Sequence, residues 1–431
     1  MIRSQAGFTP RSEISPRLRV RALLFLLGVA GASLWLAGES LRAGMAASFE
    51  TPALGHRLLA WDSDDPRLED QLGQVYKGID QGEGLRHLRR ATQLSPASRL
   101  YWSDLEIACE AAGDAPCTDQ ARERLLQLCP MVPAYYWLVA DSCLRTNRLD
   151  LAFEQDRRLL ELDPTYAPSV WSSLQDVHQP ELVFEKVLAG NPHAELKVGY
   201  VDFLSDQGDD GTAFRIWRQV AAGSSSFPFS SAAPYLDRLI TLGRIDEAVT
   251  VWQDLERLGI VQAADDKDNL IFNGDFEHAP LQAGFDWRTG DTTYLAVDFS
   301  APHAHHGNHC LRIDFTVSRN QEYAPVYQIV PVLPQHAYQL EAFVRTQDIT
   351  SDSGPCLRVQ DTDPAGFPEA VSETTVGTTP WHLVRLAFST GPHTQAVQVS
   401  FWRPRSRAFP TEIVGTAWWD EVSLRSVQSP E

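Results

Sequence analysis

The sequence predicts an α + β multidomain chain: an N-terminal transmembrane helix, a solenoid of paired α-helices and a C-terminal antiparallel β-sandwich. Three observations carry this. Ala22 to Gly38 is an apolar run without a charge. A Leu-x-Pro signature recurs at a fixed interval through the middle of the chain. Beyond residue 268 the hydrophobic period changes to two. With 431 residues, 43% of them hydrophobic and 22% charged, the chain is long enough for two or three cores and too apolar for wholesale disorder. Its net charge of −19 argues against nucleic acid as a partner, because phosphate contacts need clustered cations.

The apolar run reads ALLFLLGVAGASLWLAG, long enough to cross a bilayer, which needs roughly 17–25 such residues. Arg3, Arg11, Arg17, Arg19 and Arg21 precede it against a single acid, Glu13. The positive-inside rule then keeps residues 1–21 in the cytoplasm, places residues 22–38 in the membrane and exports residues 48–431. The expected location is therefore the inner membrane, single-pass, with the bulk of the chain in the periplasm. A cleaved signal peptide is the alternative, since Gly44-Met45-Ala46-Ala47 offers small residues for cleavage.

Residues 48–262 are helical repeats. Leu94-Ser95-Pro96, Leu128-Cys129-Pro130 and Leu162-Asp163-Pro164 lie 34 residues apart. Arg90, Arg124 and Arg158 precede them in phase, and aromatic-rich segments follow at Tyr101-Trp102, Tyr135-Tyr136-Trp137 and Trp171. Further on, Gly208, Ala213 and Trp217 recur as Gly243, Ala248 and Trp252. Such a period marks stacked supersecondary units that bury their apolar faces against one another.

The pattern resembles the tetratricopeptide repeat over residues 57–262, most closely over 66–180. Leu72-Gly73 and Tyr76 match its first helix, Ala152, Ala213 and Ala248 its small residue at the helix crossing, and Pro96, Pro130 and Pro164 its closing proline. Thr118 departs from the small residue, and the unit between Pro164 and Pro192 is short. The resemblance implies a groove that takes a protein or peptide partner.

Residues 263–268, AADDKD, read as an acidic linker to a β domain over 269–426. Cys310–Phe315, Tyr338–Ala342 and Ala396–Trp402 alternate polar and apolar residues between turn signals, as strands of an antiparallel sandwich do. Alternation puts Trp402, Gln398 and Ser400 on one face, opposite Val397, Val399 and Phe401, and sets Arg358 and Gln360 opposite Leu357 and Val359.

Asn269-Leu270-Ile271-Phe272-Asn273-Gly274-Asp275-Phe276-Glu277 resembles the opening strand of the jelly-roll carbohydrate-binding modules attached to bacterial xylanases and cellulases. Trp287, His306-Gly307, Tyr327-Gln328, Trp381 and the closing Trp418-Trp419-Asp420-Glu421-Val422-Ser423-Leu424 continue the match in order. The resemblance implies two sites. One is a structural Ca²⁺ where the first and last strands meet, held by Asp275, Glu277 and Asp420; no other cofactor is required. The other is a polysaccharide cleft, for which Gln328 and Trp402 lead, with Arg358 and Gln398 beside them. The alternative is that these residues form a plain solvated face.

His303, His305, His306 and His309 crowd next to Cys310, but their spacing is that of a surface loop and not of a zinc finger. Cys310 and Cys356 are candidates for a disulfide or for two buried thiols; Cys109 and Cys143, in equivalent repeat positions, read as core thiols. No Gly-x-Ser-x-Gly, phosphate loop, His-Glu-x-x-His or Cys-x-x-Cys occurs. The expectation is not an enzyme but a membrane-anchored scaffold in bacterial cell-envelope or exopolysaccharide assembly. A glycan-binding protein is the runner-up, and a polysaccharide-active enzyme a distant third.

Overall fold

A computed structural model describes residues 16–46, 49–223, 226–263, 266–317, 320–409 and 411–427. Most of the basic N-terminus, Ala47 and the linker positions 264 and 265 lie outside the described residues. The chain packs as two compact units, Met1–Asp163 and Pro164–Glu431.

The first unit opens with α1 (Pro16–Ala46). Its stretch Leu23–Leu41 is long and apolar enough for a membrane span or a signal sequence, and none of it is buried. Leu23, Phe25, Leu34 and Trp35 are all exposed. Helices α2 (Pro52–Leu59), α3 (Pro66–Tyr76), α4 (Gln81–Leu94), α5 (Arg99–Ala111), α6 (Ala115–Leu128), α7 (Pro133–Arg145) and α8 (Leu149–Leu162) follow. They pair as α3 with α4, α5 with α6 and α7 with α8.

The helix stops fall where the prolines predict them. Helices α4, α6 and α8 end at Leu94, Leu128 and Leu162, two residues before the signature prolines, because a residue preceding proline is pushed out of the α region. Aromatic residues after the first two prolines tie the turn down. The Trp102 indole donates to the Pro96 carbonyl at 3.0 Å, and the Tyr136 hydroxyl, 34 positions after Trp102, donates to the Pro130 carbonyl at 3.2 Å. At the helix crossings Gly84, Thr118 and Ala152 occupy equivalent buried positions. A Cβ on neighbouring Gly73 would come within 2.4 Å of Leu88, so only glycine fits there. Between repeats, buried Arg122 donates to Glu106 at 3.1 Å and to the Ser142 hydroxyl at 2.5 Å, joining α5, α6 and α7. Cys109 is joined to Cys117 by a disulfide between α5 and α6, whereas Cys143 is a free buried thiol. The core-thiol reading therefore holds for Cys143 and not for Cys109; the period pairs Cys109 with Cys143 by position, but the bonded partner lies across the helix–turn–helix.

The second unit begins with the shortened repeat. It is irregular: α9 (Ala167–Leu174), α10 (Pro180–Val183) and a π turn at Phe184–Leu188. Regular pairs resume with α11 (Ala194–Asp206) and α12 (Asp210–Ala222), then α13 (Phe229–Thr241) and α14 (Ile245–Arg257). Among the described residues ten strands follow: β1 (Arg288–Thr289), β2 (Leu295–Ala301), β3 (Cys310–Val317), β4 (Tyr323–Pro331), β5 (Ala337–Ile349), β6 (Cys356–Asp361), β7 (Ala370–Val371), β8 (Gly377–Ser389), β9 (Ala396–Arg403) and β10 (Ile413–Val427). They form two five-stranded antiparallel sheets, β1-β4-β9-β6-β7 and β2-β3-β10-β5-β8. Between them lies one core in which Trp287, Phe276, Phe401 and Trp419 meet ring to ring. Cys310 and Cys356 are free and buried on different sheets.

Two boundaries differ from expectation. Asn269–Glu277 is not a strand. Asn273 and Phe276 take positive φ values of 51° and 54°, which breaks the ladder, and the segment instead makes isolated bonds with β10, such as Leu270 N to Leu424 O at 2.9 Å. Nor does the sandwich stand apart from the helices. Trp252 of α14 meets Phe272 and Phe285 edge-on at 5.1 and 5.7 Å, and Asp237 of α13 accepts from Arg288 at 2.6 Å and from Gly284 N at 2.8 Å. Gly284 has φ +63°, and a Cβ there would lie 2.6 Å from Trp252. The acidic linker is thus flanked by a packed interface.

Candidate functional site

Alternation along β9 sends Val397, Val399 and Phe401 into the core and leaves Gln398, Ser400 and Trp402 on the outer face of the first sheet. Register extends that face. Arg358 and Gln360 of β6 lie opposite Ser400 and Gln398, and Tyr327 and Ile329 of β4 flank them on the other side. The Arg358 guanidinium lies over the Trp402 ring, 4.7 Å from its centroid. Burial lowers the Arg358 pKa, and the Glu369 carboxylate is 3.9 Å away. Two donors here have no hydrogen-bond acceptor among the described residues, the Arg358 Nε and the Trp402 Nε1. A guanidinium over an indole, next to the half-buried Gln360 and Gln398 amides, presents a ring face and planar polar groups that can recognise a ligand rich in hydroxyls.

Gln328 is not part of this face. It pairs with Val399, points with the core side and is fully buried. Its amide donates to the Phe272 carbonyl at 2.9 Å and accepts from Phe272 N at 3.0 Å. It pins the opening segment to β4. The alternation of β4 alone carries the signal for this, since Gln328 falls in phase with Val326 and Val330.

The three carboxylates implied for calcium also have occupants. Asp420 is fully buried and accepts from His305 N at 2.7 Å and His306 N at 3.0 Å. Burial pushes its pKa up against those donors. Glu277 accepts from Asn308 N at 2.5 Å and His309 N at 2.9 Å, and chiefly the His309 N–H holds its pKa below the usual range. Asp275 accepts from Glu277 N at 3.4 Å. Backbone N–H groups of the histidine loop therefore point at the Asp420 and Glu277 oxygens, and no group of three His, Cys, Asp or Glu side chains among the described residues could hold a metal ion. The residues present do not fit the implied Ca²⁺; they staple loop 303–309 to the sandwich. Millimolar calcium is expected to leave the melting temperature unchanged relative to EDTA, while Asp420→Ala lowers stability by about 1 kcal/mol by removing the buried acceptor of two part-buried backbone donors, both read by thermal unfolding. In that loop His305 stacks on Phe343 at 3.8 Å and pairs with Glu421.

No protein-family model matches the chain, and no curated protein matches it. Among solved structures it is similar in part to MamA, at 14% identity over 39% of this chain and 84% of MamA, with a TM-score of 0.27. It is similar to a carbohydrate-binding module, CBM4, at 15% identity over 36% of this chain and 99% of the module, TM-score 0.27. A third likeness is the enzymatically active domain of tailspike protein 4 from bacteriophage CBA120, at 14% identity over 37% of this chain, TM-score 0.27. The chain spans 22% of that tailspike structure, and 66% and 62% of two other MamA structures. These likenesses concern fold alone. The chain joins tetratricopeptide-like helical repeats to a jelly-roll sandwich.

One feature has no counterpart in the sequence patterns. A cavity of about 650 Å³ lies between segment 260–286 and the outer face of the second sheet. Ile271, Phe343 and Leu383 supply its apolar wall, and Asp275, Glu341 and Glu421 its carboxylates. Asp286, buried on its lining, is raised by that burial to about 6. Four chain segments far apart in sequence build the cavity, so no local pattern announces it.

Proposed function

We propose that this protein is a membrane-anchored, exported adaptor without enzymatic activity: helical repeats hold a protein partner, and the outer face of the first sheet grips a polysaccharide. The setting that suits this order of parts is the periplasmic side of an inner membrane, within cell-envelope or exopolysaccharide assembly. The observation that carries the reading is the Arg358 guanidinium over the half-buried Trp402 ring, beside the half-buried Gln360 and Gln398 amides. A ring face flanked by planar polar groups suits a sugar, which offers an apolar ring face and hydroxyls together. Anchoring by α1 would turn each second encounter into an intramolecular one.

The test is affinity electrophoresis of the detergent-solubilised full chain through gels containing neutral galactans or glucans. Retardation is expected, and Trp402→Ala is expected to weaken it by about tenfold or more, as loss of a central aromatic anchor does. A folded wild-type chain that migrates freely through every gel overturns the glycan half of the proposal. Release of reducing ends from any of these polysaccharides overturns the non-enzymatic half.

A further inference from the structure

A row of alternating arginine and tryptophan crosses the outer face of the second sheet. Arg312 of β3 pairs with Trp418 of β10, which pairs with Arg345 of β5. On the β5–β8 ladder Val344 pairs with His382 and Thr346 with Thr379, so Pro380 and Trp381 face Arg345. The order across four strands is arginine, tryptophan, arginine, tryptophan. The side chains act on one another: the Arg345 guanidinium lies 4.8 Å above the Trp418 centroid, and that of Arg312 lies 5.9 Å from it. Trp381 meets the His305 ring edge-on at 5.7 Å. All four members of the row are half-buried, neither sealed in a core nor fully solvated.

The charges on this row are uneven. Arg312 is paired with Asp314 at 2.9 Å. Arg345 has no ion pair and no hydrogen bond among the described residues, in a chain with 19 excess negative charges. A guanidinium held over an indole can still meet a carboxylate through its N–H fork with two parallel hydrogen bonds. Trp381, the next member, offers an aromatic surface to a sugar ring. A planar cation and an aromatic surface at adjacent strand positions fit a ligand that alternates apolar ring faces with carboxylates.

We infer that the Arg312–Trp418–Arg345–Trp381 row is a binding site for an acidic polysaccharide built from uronate units, separate from the face carrying Trp402. The carboxylate pairs with Arg345, and the sugar ring stacks on Trp381. Charge sets the boundary of the site: the neighbouring cavity, with Asp275, Glu341 and Glu421, repels the same ligand.

The full chain in detergent, run through gels containing polygalacturonate, is expected to be retarded, and the retardation to fall as salt is raised. Arg345→Gln should weaken binding about tenfold, in line with loss of one charge-assisted pair. Arg345→Lys, which keeps the charge but loses the fork and the stack, should fall between the two. Trp402→Ala should leave polygalacturonate binding unchanged, so failure of this site and failure of the neutral-glycan face are read separately. Circular dichroism checks folding of each variant. A folded wild-type chain that polygalacturonate does not retard overturns the inference. So does Arg345→Gln binding as tightly as wild type, and so does equal retardation by dextran sulfate, which would mark a general polyanion contact.

Discussion

Asp156→Asn is expected to stabilise the first unit by roughly 4 kcal/mol near pH 8 and to change little near pH 4. Asp156 sits on α8, fully buried, and neither carboxylate oxygen has a hydrogen-bond partner among the described residues. Burial, reinforced by Asp141, raises its pKa from 3.8 to about 7. Between those two values the folded chain holds a proton that the unfolded chain has released. Stability therefore falls as pH rises through that window, and the loss is complete above the folded value. The amide cannot ionise, so the variant keeps its low-pH stability throughout. Urea unfolding across the pH range reads the effect. A wild-type stability that is flat or rises between pH 4 and pH 7, with Asp156→Asn unchanged at both ends, would show that the carboxylate is not held as described.

Trp252→Ala should cost about 3–5 kcal/mol in the second unit, the usual range for truncating a buried tryptophan. The indole lies between Phe229, Phe272 and Phe285 and donates to Glu256 at 3.1 Å. Without it, the Asp237 contact with Arg288 and Gly284 still ties α13 to the sandwich. Limited proteolysis separates this docking role from a general loss of stability. Cleavage near Arg257 and Lys267 should accelerate well before the β-domain core is digested, and Trp252→Phe should restore most of the protection. Simultaneous loss of both parts at one rate would contradict a docking role.

How much of the molecule is legible in the sequence depends on the range of the interaction involved. The helix stops at Leu94, Leu128 and Leu162 follow from the backbone of a pre-proline residue, a one-residue effect, and they are readable. So are the outward positions of Arg358, Gln398 and Trp402, because strand alternation is local. Gln328 is misplaced when the family resemblance outweighs its own phase between Val326 and Val330. The calcium reading fails at the second step: the acids stand where the resemblance puts them, but backbone N–H groups from residues 305–309 reach Asp420 and Glu277, and a loop's path is not written in residue types. The disulfide of Cys109 with Cys117, the cavity and the arginine–tryptophan row all depend on which distant segments meet. The row needs the register of β3, β10, β5 and β8, which no single segment specifies.

The seam made by Trp252, Gly284 and Asp237 has a mechanical consequence. A flexible string between two binding modules lets each wander, and the entropy of that wandering is lost when both are engaged. Here the terminal helix pair and the sandwich share an aromatic joint, so a ligand on the strands, if the proposed function holds, would sit at a set offset and angle from a partner on α13 and α14. Geometry, more than reach, would then decide which pairs of cargo can be held at once.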